Sequence, residues 1–195
     1  MKLQTLTGAA FEKAIPDLAR LRIEVFREYP YLYDGSFEYE ERYIKRLAAA
    51  KHSIIIAASD ERGKIVGCET GSALAAHNEE LAAAFREWHP DLTKIFYCSG
   101  SLLLPEWRGR GLGHEFFRLR EAHATARGYK YSVFCAVMRP ATHSLKPLNY
   151  SPLDGFWEKR GYRKLPGVVT AFRWKDIDQP QESEHPMQFW MREPA

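Results

Sequence analysis

The sequence has few of the features that mark membrane-embedded, disulfide-rich or metal-binding proteins. No apolar run approaches the ~18 residues of a membrane-spanning helix, and the first residues, MKLQTLTGAAFEKAIPD, lack the basic start and apolar core of a signal peptide. The three cysteines, Cys68, Cys98 and Cys135, are odd in number, widely spaced and each in a predicted strand. We therefore predict buried free thiols, no metal site, and a cytoplasmic protein without a membrane partner.

An excess of charge of one sign is also lacking. The 28 Lys and Arg against 25 Asp and Glu give a formal net charge of +3, spread along the chain. Binding to nucleic acid would need a concentrated basic surface, for which the candidates are Lys159, Arg160, Arg163, Lys164, Arg173 and Lys175. Acidic and apolar residues interrupt these cations. We therefore interpret them as a solvated face, with no nucleic-acid partner.

The residues that are present suit one α/β (α+β) domain covering residues 1–195. Hydrophobic residues make up 45% of the chain, and a chain of this length buries well over half of its unfolded surface. The apolar periodicity predicts a strand, two helices, an antiparallel hairpin, a short helix, a long strand, a strand-helix-strand crossover, and a closing helix with two strands. This order predicts a mixed, mostly antiparallel sheet of about seven strands with helices on both faces.

The stretch from Leu102 to Gly128, LLLPEWRGRGLGHEFFRLREAHATARG, is the most informative about function. It is typical of a strand end, a turn at Pro105, a glycine-rich loop between Arg108 and Gly113, and a helix that ends at Gly128. Glycines let the backbone approach a ligand closely, and the free N–H groups of a first helical turn point at an anion. The stretch therefore predicts a site for a phosphate-bearing ligand.

The spacing of the glycines excludes two common nucleotide loops. Glycines at 109, 111 and 113 do not match G-x-G-x-x-G, and no Gly-Lys-Ser/Thr follows. What remains is Arg-x-x-Gly-x-Gly, in which Arg108 and Arg110 add positive charge beside a helix N-terminus and favour a pyrophosphate. The alternative is an ordinary strand-to-helix turn with solvated arginines. An amphipathic helix behind the loop and a strand on either side favour the phosphate loop.

These residues resemble the cofactor-binding segment of the GNAT superfamily, the N-acyltransferases that use acetyl-CoA. The later segment DGFWEKRGYRKL is similar to a family segment in which a short helix ends in a Glu-Lys-x-Gly-aromatic step. With the order of strands and helices included, the resemblance covers nearly the whole chain. It implies a GNAT-like acyl-CoA N-acyltransferase fold, acetyl-CoA as the acyl donor, and no metal.

The resemblance also implies a role for particular residues. Backbone N–H groups of the loop would bind the CoA pyrophosphate, at Arg108, Gly109, Arg110, Gly111, Leu112 and Gly113. Leu102, Leu103 and Leu104 would pair with the pantetheine arm like an added strand, and the Leu103 N–H would polarise the thioester carbonyl. This arrangement needs the strand to separate from its neighbour around Cys135 and Val137, which leaves backbone groups free for the ligand.

Direct attack of an amine on a thioester needs a neutral amine, a donor to the oxyanion, and a proton for the leaving thiolate. Many family members place the acid on a tyrosine just before the Glu-Lys step, where this chain has Trp157. The nearest replacement is Tyr150, which lies with Asn149 in a loop expected to face the cofactor sulfur; the alternative is a packed loop tyrosine.

Glu69, in a predicted strand, faces either solvent or a cleft and is the candidate base. Weaker alternatives are Tyr97, Ser99 and His143.

The acceptor is less clearly indicated. Aromatic residues crowd one predicted turn between Tyr29 and Tyr39, where they either cap the core or form a wall of a substrate pocket. This turn and residues 77–88 are where we expect the acceptor, a small-molecule primary amine, and a homodimer is left open. The competing hypothesis is a noncatalytic acyl-CoA sensor or scaffold of the same fold, because the indole of Trp157 is not a useful acid.

Overall fold

The structure, a computed structural model, describes residues 1–77, 79–85 and 91–193. The strands in chain order are β1 (Lys2–Thr5), β2 (Ile54–Ser59), β3 (Ile65–Ala73), β4 (Ile95–Leu103), β5 (Tyr131–Val137), β6 (Arg163–Lys175) and β7 (Glu182–Arg192). The helices are α1 (Gly8–Phe26), α2 (Phe37–Ala49), α3 (Glu79–Ala83), α4 (Leu112–Ala126) and α5 (Asp154–Glu158).

The strands form one mixed sheet in the order β1-β2-β3-β4-β5-β7-β6, which confirms the predicted fold. Every pair of neighbours is antiparallel except β4 and β5, which are parallel. Successive side chains of a strand point to opposite faces. On β3, Glu69 contacts Arg120 of α4, whereas Thr70 lies beside Gly100 together with Arg22 of α1. Helices therefore cover both faces of the sheet.

The first helix differs from its prediction at both ends. The apolar spacing predicts a helix over 11–29 with Pro16 in its first turn, but α1 spans Gly8–Phe26 and contains Pro16 in its interior. The helix continues past the proline because its apolar stripe is buried against the sheet, at Phe11, Ala14, Ile15, Leu18, Ala19 and Leu21. Tertiary burial thus outweighs the local cost of a proline in the interior of a helix.

The two C-terminal strands begin earlier than their predicted starts at 168 and 186. β6 pairs with β7 at Lys164 and again from Val169, with a register irregularity between them. Pro166 and Gly167 lie in this irregularity and look like a strand break in the sequence, but Leu165 is buried and keeps the segment on the sheet. A bulge of this kind accommodates residues that cannot join the regular ladder.

The connecting segments agree with the prediction where the structure describes them. Residues 139–152 form a loop, and Gly161, with a φ of 79°, follows α5 as its predicted cap. The helix predicted over 78–88 corresponds in part to α3, and residues 78 and 86–90 lie outside the described residues. Cys68, Cys98 and Cys135 are buried free thiols, as predicted.

Strands β4 and β5 pair over only three residues of each, from Ile95 opposite Tyr131 to Tyr97 opposite Val133. On its other edge β4 stays paired with β3 as far as Leu103, but Ser99 is an extra residue without a partner in that ladder. Such a bulge bends its strand and increases the local twist. The remainder of β4 therefore turns away from β5 and leaves a gap in the sheet.

Glu69 faces neither solvent nor a cleft, so both orientations predicted for its side chain are wrong. Its side chain has no exposed surface, is ion-paired with the equally buried Arg120, and accepts a hydrogen bond from Ser101 Oγ. Burial raises the pKa of the Glu69 carboxyl, while Arg120 and Ser101 oppose that shift. Arg120 also donates to the Tyr162 hydroxyl at 3.2 Å. The pair holds α4 against β3 inside the protein.

Loss of the Glu69 charge should destabilise the fold strongly, because it leaves the buried guanidinium of Arg120 without its counterion. We expect Glu69→Gln to lower the free energy of unfolding by about 3–5 kcal/mol, measured from urea denaturation followed by circular dichroism.

The matched control is Glu115→Gln, which breaks the exposed pair of Glu115 with Arg118 on the same helix. This variant should leave the denaturation midpoint nearly unchanged, since solvent screens exposed pairs. Equal midpoints for the two variants would contradict a structural role for the Glu69–Arg120 pair.

Candidate active site

A large cleft opens where β4 and β5 separate. The segment between α1 and α2, one side of α2, the end of β4, the loop before α4 and the segment 138–154 surround it. Cys135 and Val137 of β5 line the cleft, as does Ser99 of the bulge. The predicted separation of the strands around Cys135 and Val137 is therefore confirmed.

The backbone of β4 presents alternate residues to this gap. The Leu104 N–H donates to the Val66 carbonyl oxygen at 3.0 Å, so Leu104 faces β3. Because successive residues of a strand direct their N–H and C=O groups to opposite edges, those of Leu103 point away from β3, whereas those of Leu102 point toward it. The Leu103 carbonyl oxygen accepts a hydrogen bond from Arg108 Nε at 3.0 Å. The Leu103 N–H therefore faces the space left by β5.

The glycine loop has the geometry of an anion site. Gly109 and Gly111 have left-handed φ angles of 74° and 81°, and α4 begins directly after Gly111. The Glu115 N–H donates to the Gly111 carbonyl oxygen at 3.3 Å. Among the described residues no side chain caps this turn. The first N–H groups of the helix, those of Leu112 and Gly113, consequently lack acceptors within the helix and are oriented to bind an anion.

Arg108 and Arg110 differ in the availability of their charge. Arg108 donates through both terminal nitrogens to the Glu28 carboxylate, at 2.9 Å each, which ties the end of β4 to the segment after α1. Arg110 makes no ion pair with any described residue, and its guanidinium lies 4.8 Å from the ring centroid of Trp107. The positive charge expected beside the loop thus comes from Arg110, while Glu28 neutralises Arg108.

Tyr150 and Asn149 both line the cleft. The ring of Tyr150 meets that of Tyr29 edge to face, with centroids 4.7 Å apart. Burial, with smaller contributions from Tyr29 and Asp154, raises the pKa of the Tyr150 hydroxyl. The phenol is therefore protonated at neutral pH and has a proton to donate.

Trp157 also lines the cleft, but it is anchored in an aromatic cluster. Its ring centroid lies 4.9 Å from that of Phe134 and 5.0 Å from that of Trp190. The indole at this position supplies packing area rather than an acidic proton.

The weaker candidates for proton transfer occupy different environments. The Tyr97 hydroxyl is hydrogen-bonded to Cys135 Sγ at 3.2 Å, and Ser99 Oγ to Thr70 Oγ1 at 3.0 Å. His143 packs beside Tyr29, and its Nδ1 accepts from a backbone N–H in its own loop. Of these candidates only Tyr97 and Ser99 line the cleft.

The aromatic turn packs against the core and also lines the cleft. Tyr31 and Tyr33 pack against the buried cluster of β4, β5 and β7, and they also line the cleft with Tyr29 and Tyr39. Arg139 anchors the turn by donating to the carbonyl oxygens of residues 30 and 31, at 2.7 Å each. The turn is therefore a fixed wall of the cleft.

Sequence reasoning missed a second buried ion pair, between Arg22 of α1 and Glu40 of α2, both of which line the cleft. The signal was available. Arg22 falls on the buried stripe of α1 directly after Leu21, and a charged residue at a buried helical position needs a partner. Glu40 is buried on α2 in the same way.

The basic residues considered for nucleic-acid binding are mostly occupied by carboxylates. Their ion pairs are Arg163 with Glu193, Lys164 with Asp154, Arg173 with Glu184, and Lys175 with Asp34. Within the described ranges no group of three His, Cys, Asp or Glu side chains could hold a metal ion. None of the described helices is both long and apolar enough to cross a membrane.

Comparison with solved structures places the chain among acetyltransferases in fold. A ribosomal-protein-alanine N-acetyltransferase from Brucella melitensis superposes with a TM-score of 0.64 at 11% identity, over 100% of both chains. An N-acetyltransferase from Staphylococcus aureus Mu50 gives 0.59 at 12%, over 99% of each chain. An aminoglycoside 6'-N-acetyltransferase complexed with coenzyme A gives 0.60 at 12%, over 100% of this chain and 99% of the other. At these identities the likeness concerns the fold alone.

Comparison of sequences identifies the family. No curated protein sequence matches the chain. The family model of the acetyltransferase (GNAT) family matches residues 17–162, which include the glycine loop, the separated strands and α5. The chain therefore belongs to the GNAT family of acetyltransferases and is an acyltransferase.

Proposed function

We propose that the protein transfers an acetyl group from acetyl-CoA to a primary amine of a small molecule, by direct attack of the amine on the thioester. The observation that carries this proposal is the gap between β4 and β5, which ends at an uncapped helix N-terminus. One ligand would use both features, with its thioester arm in the gap and its pyrophosphate at the helix N-terminus. The GNAT family uses acetyl-CoA, which agrees with this assignment.

In this proposal the pyrophosphate is held by backbone N–H groups of the loop from Gly109 to Gly113, with Arg110 supplying charge. The Arg108 N–H, which was expected to take part, donates instead to the Pro105 carbonyl oxygen at 3.1 Å. The pantetheine arm pairs with alternate residues of the open edge of β4, because Leu102 and Leu104 direct their N–H groups to β3. The Leu103 N–H, which faces the gap, then donates to the thioester oxygen as negative charge develops there. Asn149 contacts the arm from the opposite wall.

Tyr150 is the proposed acid for the leaving thiolate. Its raised pKa keeps the hydroxyl protonated, and the hydroxyl makes no hydrogen bond with any other described residue. Since Glu69 is sealed in an ion pair, we assign deprotonation of the amine to water in the cleft, with the Ser99 hydroxyl as a relay. The buried thiols Cys98 and Cys135 carry no acyl group, because burial raises the pKa of each to about 12 and the thiolate is the nucleophile.

The fold alone does not select the acceptor. The solved structures of this fold include an acetyltransferase named for aminoglycosides and one named for a ribosomal protein. A small acceptor is supported here by the wall of tyrosines, which offers flat apolar area and hydrogen-bonding hydroxyls to a compact molecule.

The role of the loop is tested by Gly111→Val. Apart from residue 111 itself and its chain neighbours, no described residue has an atom within 4 Å of the position that a Cβ would take there. A branched side chain there would extend over the uncapped N–H groups and strain the left-handed backbone. We expect the affinity for CoA to fall by at least about 100-fold in isothermal titration calorimetry, since several charge-assisted hydrogen bonds are lost.

Gly63→Val is the matched control. Gly63 has the same φ of 81° and equally open surroundings, but it lies in the β2–β3 turn away from the cleft. The backbone strain in Gly63→Val should be similar to that in Gly111→Val, but the affinity for CoA should stay at the wild-type value. Unaltered affinity in Gly111→Val, or an equal loss in both variants, would contradict the assignment of the loop.

The role of the acid is tested by Tyr150→Phe, which keeps the ring contact with Tyr29 and removes the proton. We expect kcat to fall by at least about tenfold, with CoA affinity nearly unchanged, measured by thiol release and calorimetry. The control is Tyr129→Phe, which removes the hydroxyl that bonds His52 outside the cleft. Turnover at the wild-type rate in Tyr150→Phe would eliminate Tyr150 as the acid.

The sensor hypothesis predicts a different outcome from the same assay. A noncatalytic acyl-CoA-binding protein would bind acetyl-CoA but release no thiol with any amine. Thiol release from acetyl-CoA across a panel of primary amines therefore separates the two hypotheses directly.

A further inference from the structure

Around Tyr43 of α2 the cleft wall carries positive charge that the protein does not neutralise. The guanidinium of Arg22 lies 4.2 Å from the Tyr43 ring centroid and that of Arg46 lies 5.9 Å from it. Glu40 is the ion-pair partner of Arg22, while Arg46 makes no ion pair with any residue that the structure describes. Two cations and one anion around one ring leave a net positive charge.

Arg22 also has an unused hydrogen-bond donor. The side chain is nine-tenths buried, and its Nη1 has no hydrogen-bond partner among the residues that the structure describes. Burial opposes the charge of the guanidinium, but Tyr43 and Glu40 raise its pKa above the ordinary value, so it is charged at neutral pH. A buried donor without an acceptor is costly to leave unpaired. An oxygen acceptor that a ligand brought within reach of Nη1 would offset that cost.

This donor lies close to the expected reaction centre. A Cβ built at Gly100 would be 3.4 Å from Arg22 Nη1. Gly100 directly follows the bulge at Ser99, on the part of β4 that has separated from β5. A group bound by Arg22 would therefore lie only a few bonds from an amine that attacks a thioester in the gap.

Most of the negative charges of the cleft are already paired with cations of the protein itself. Glu28, Asp34, Glu40, Asp154 and Glu184 line the cleft, and each is already ion-paired with an arginine or lysine. Among the described carboxylates that line the cleft, Glu182 alone is without an ion pair.

The neighbouring histidine, His77, adds no positive charge to this part of the cleft wall. Burial, and to a smaller extent the charge of Arg46, lowers the pKa of His77 to about 4, so its ring is neutral at physiological pH. His77 is also occupied through Nε2, which is 2.8 Å from Ser72 Oγ.

We propose that the acceptor is an amine that carries a carboxylate a few bonds from its nitrogen, as an amino acid does, and that Arg46 and Arg22 bind this carboxylate. The inference rests on the proposed acetyl transfer and narrows its substrate class. Arg46, at the surface of the cleft, attracts the anion, and Arg22 donates to it beside the reacting amine. Amines without an anionic group lose both interactions.

The test uses amino acids and their amides as paired acceptors with acetyl-CoA, with spermidine as a polycation. Each pair presents the same amine with and without the negative charge, and rates are corrected for the fraction of neutral amine, which is measured by titration. We expect kcat/KM to be at least about tenfold higher for the preferred amino acid than for its amide.

Arg46→Gln should raise KM for the amino acid and thereby reduce that preference by about tenfold. The kcat/KM for the amide and the affinity for CoA should stay unchanged. Lys45→Gln is the matched control, since Lys45 is an exposed cation on the same helix that does not line the cleft. An equal loss of the preference for the amino acid in both variants would show an effect of the overall charge of the protein and would overturn the assignment of Arg46.

The outcomes separate this inference from the proposed function. Acetylation of amides or spermidine without a preference for carboxylates would overturn the inference and leave acetyl transfer intact. Binding of acetyl-CoA with no thiol release for any amine would contradict the proposed function and the inference with it.

Discussion

Strands β4 and β5 lie side by side for three residue pairs and then separate at the bulged Ser99, and the functional part of the molecule depends on this separation. A sheet interior normally has no unpaired backbone groups. Here the gap turns the inner edge of β4 into a free edge in the middle of the protein, directed at the start of α4. The cleft and the free N–H of Leu103 are consequences of this separation, and the helix start at Gly111, which no described side chain caps, lies at the end of the gap.

Two buried ion pairs support this irregularity from opposite faces of the sheet. Glu69 and Arg120 join β3 to α4 on one face, and Arg22 and Glu40 join α1 to α2 on the other. Both sets of side chains lie against the part of the sheet where the β3–β4 ladder contains the bulge. Each pair leaves one buried guanidinium nitrogen without a hydrogen-bond partner among the described residues, Arg120 Nε in the first pair and Arg22 Nη1 in the second.

The loop proposed to bind the acyl donor could be predicted from local sequence, because each feature of its backbone is local. A strand, a turn at Pro105, glycines with left-handed backbone and a helix start are specified by consecutive residues. The proton-transfer groups could not be predicted in this way. Glu69 has the residue type of a base but not its environment, since its partner Arg120 is distant in the chain. Pairing of this kind leaves no pattern in a single sequence.

The sequence by itself determined the class of fold, the order of the strands and the position of the glycine loop, since hydrophobic periodicity and turn residues act over short distances. Only the tertiary structure decided which charged side chains are consumed by ion pairs and which face the cleft. Arg108 is neutralised by Glu28 across the cleft, while Arg46 is left without a partner among the described residues. Charge availability depends on distance and burial between elements remote in the chain, and these quantities exist only once the chain has folded.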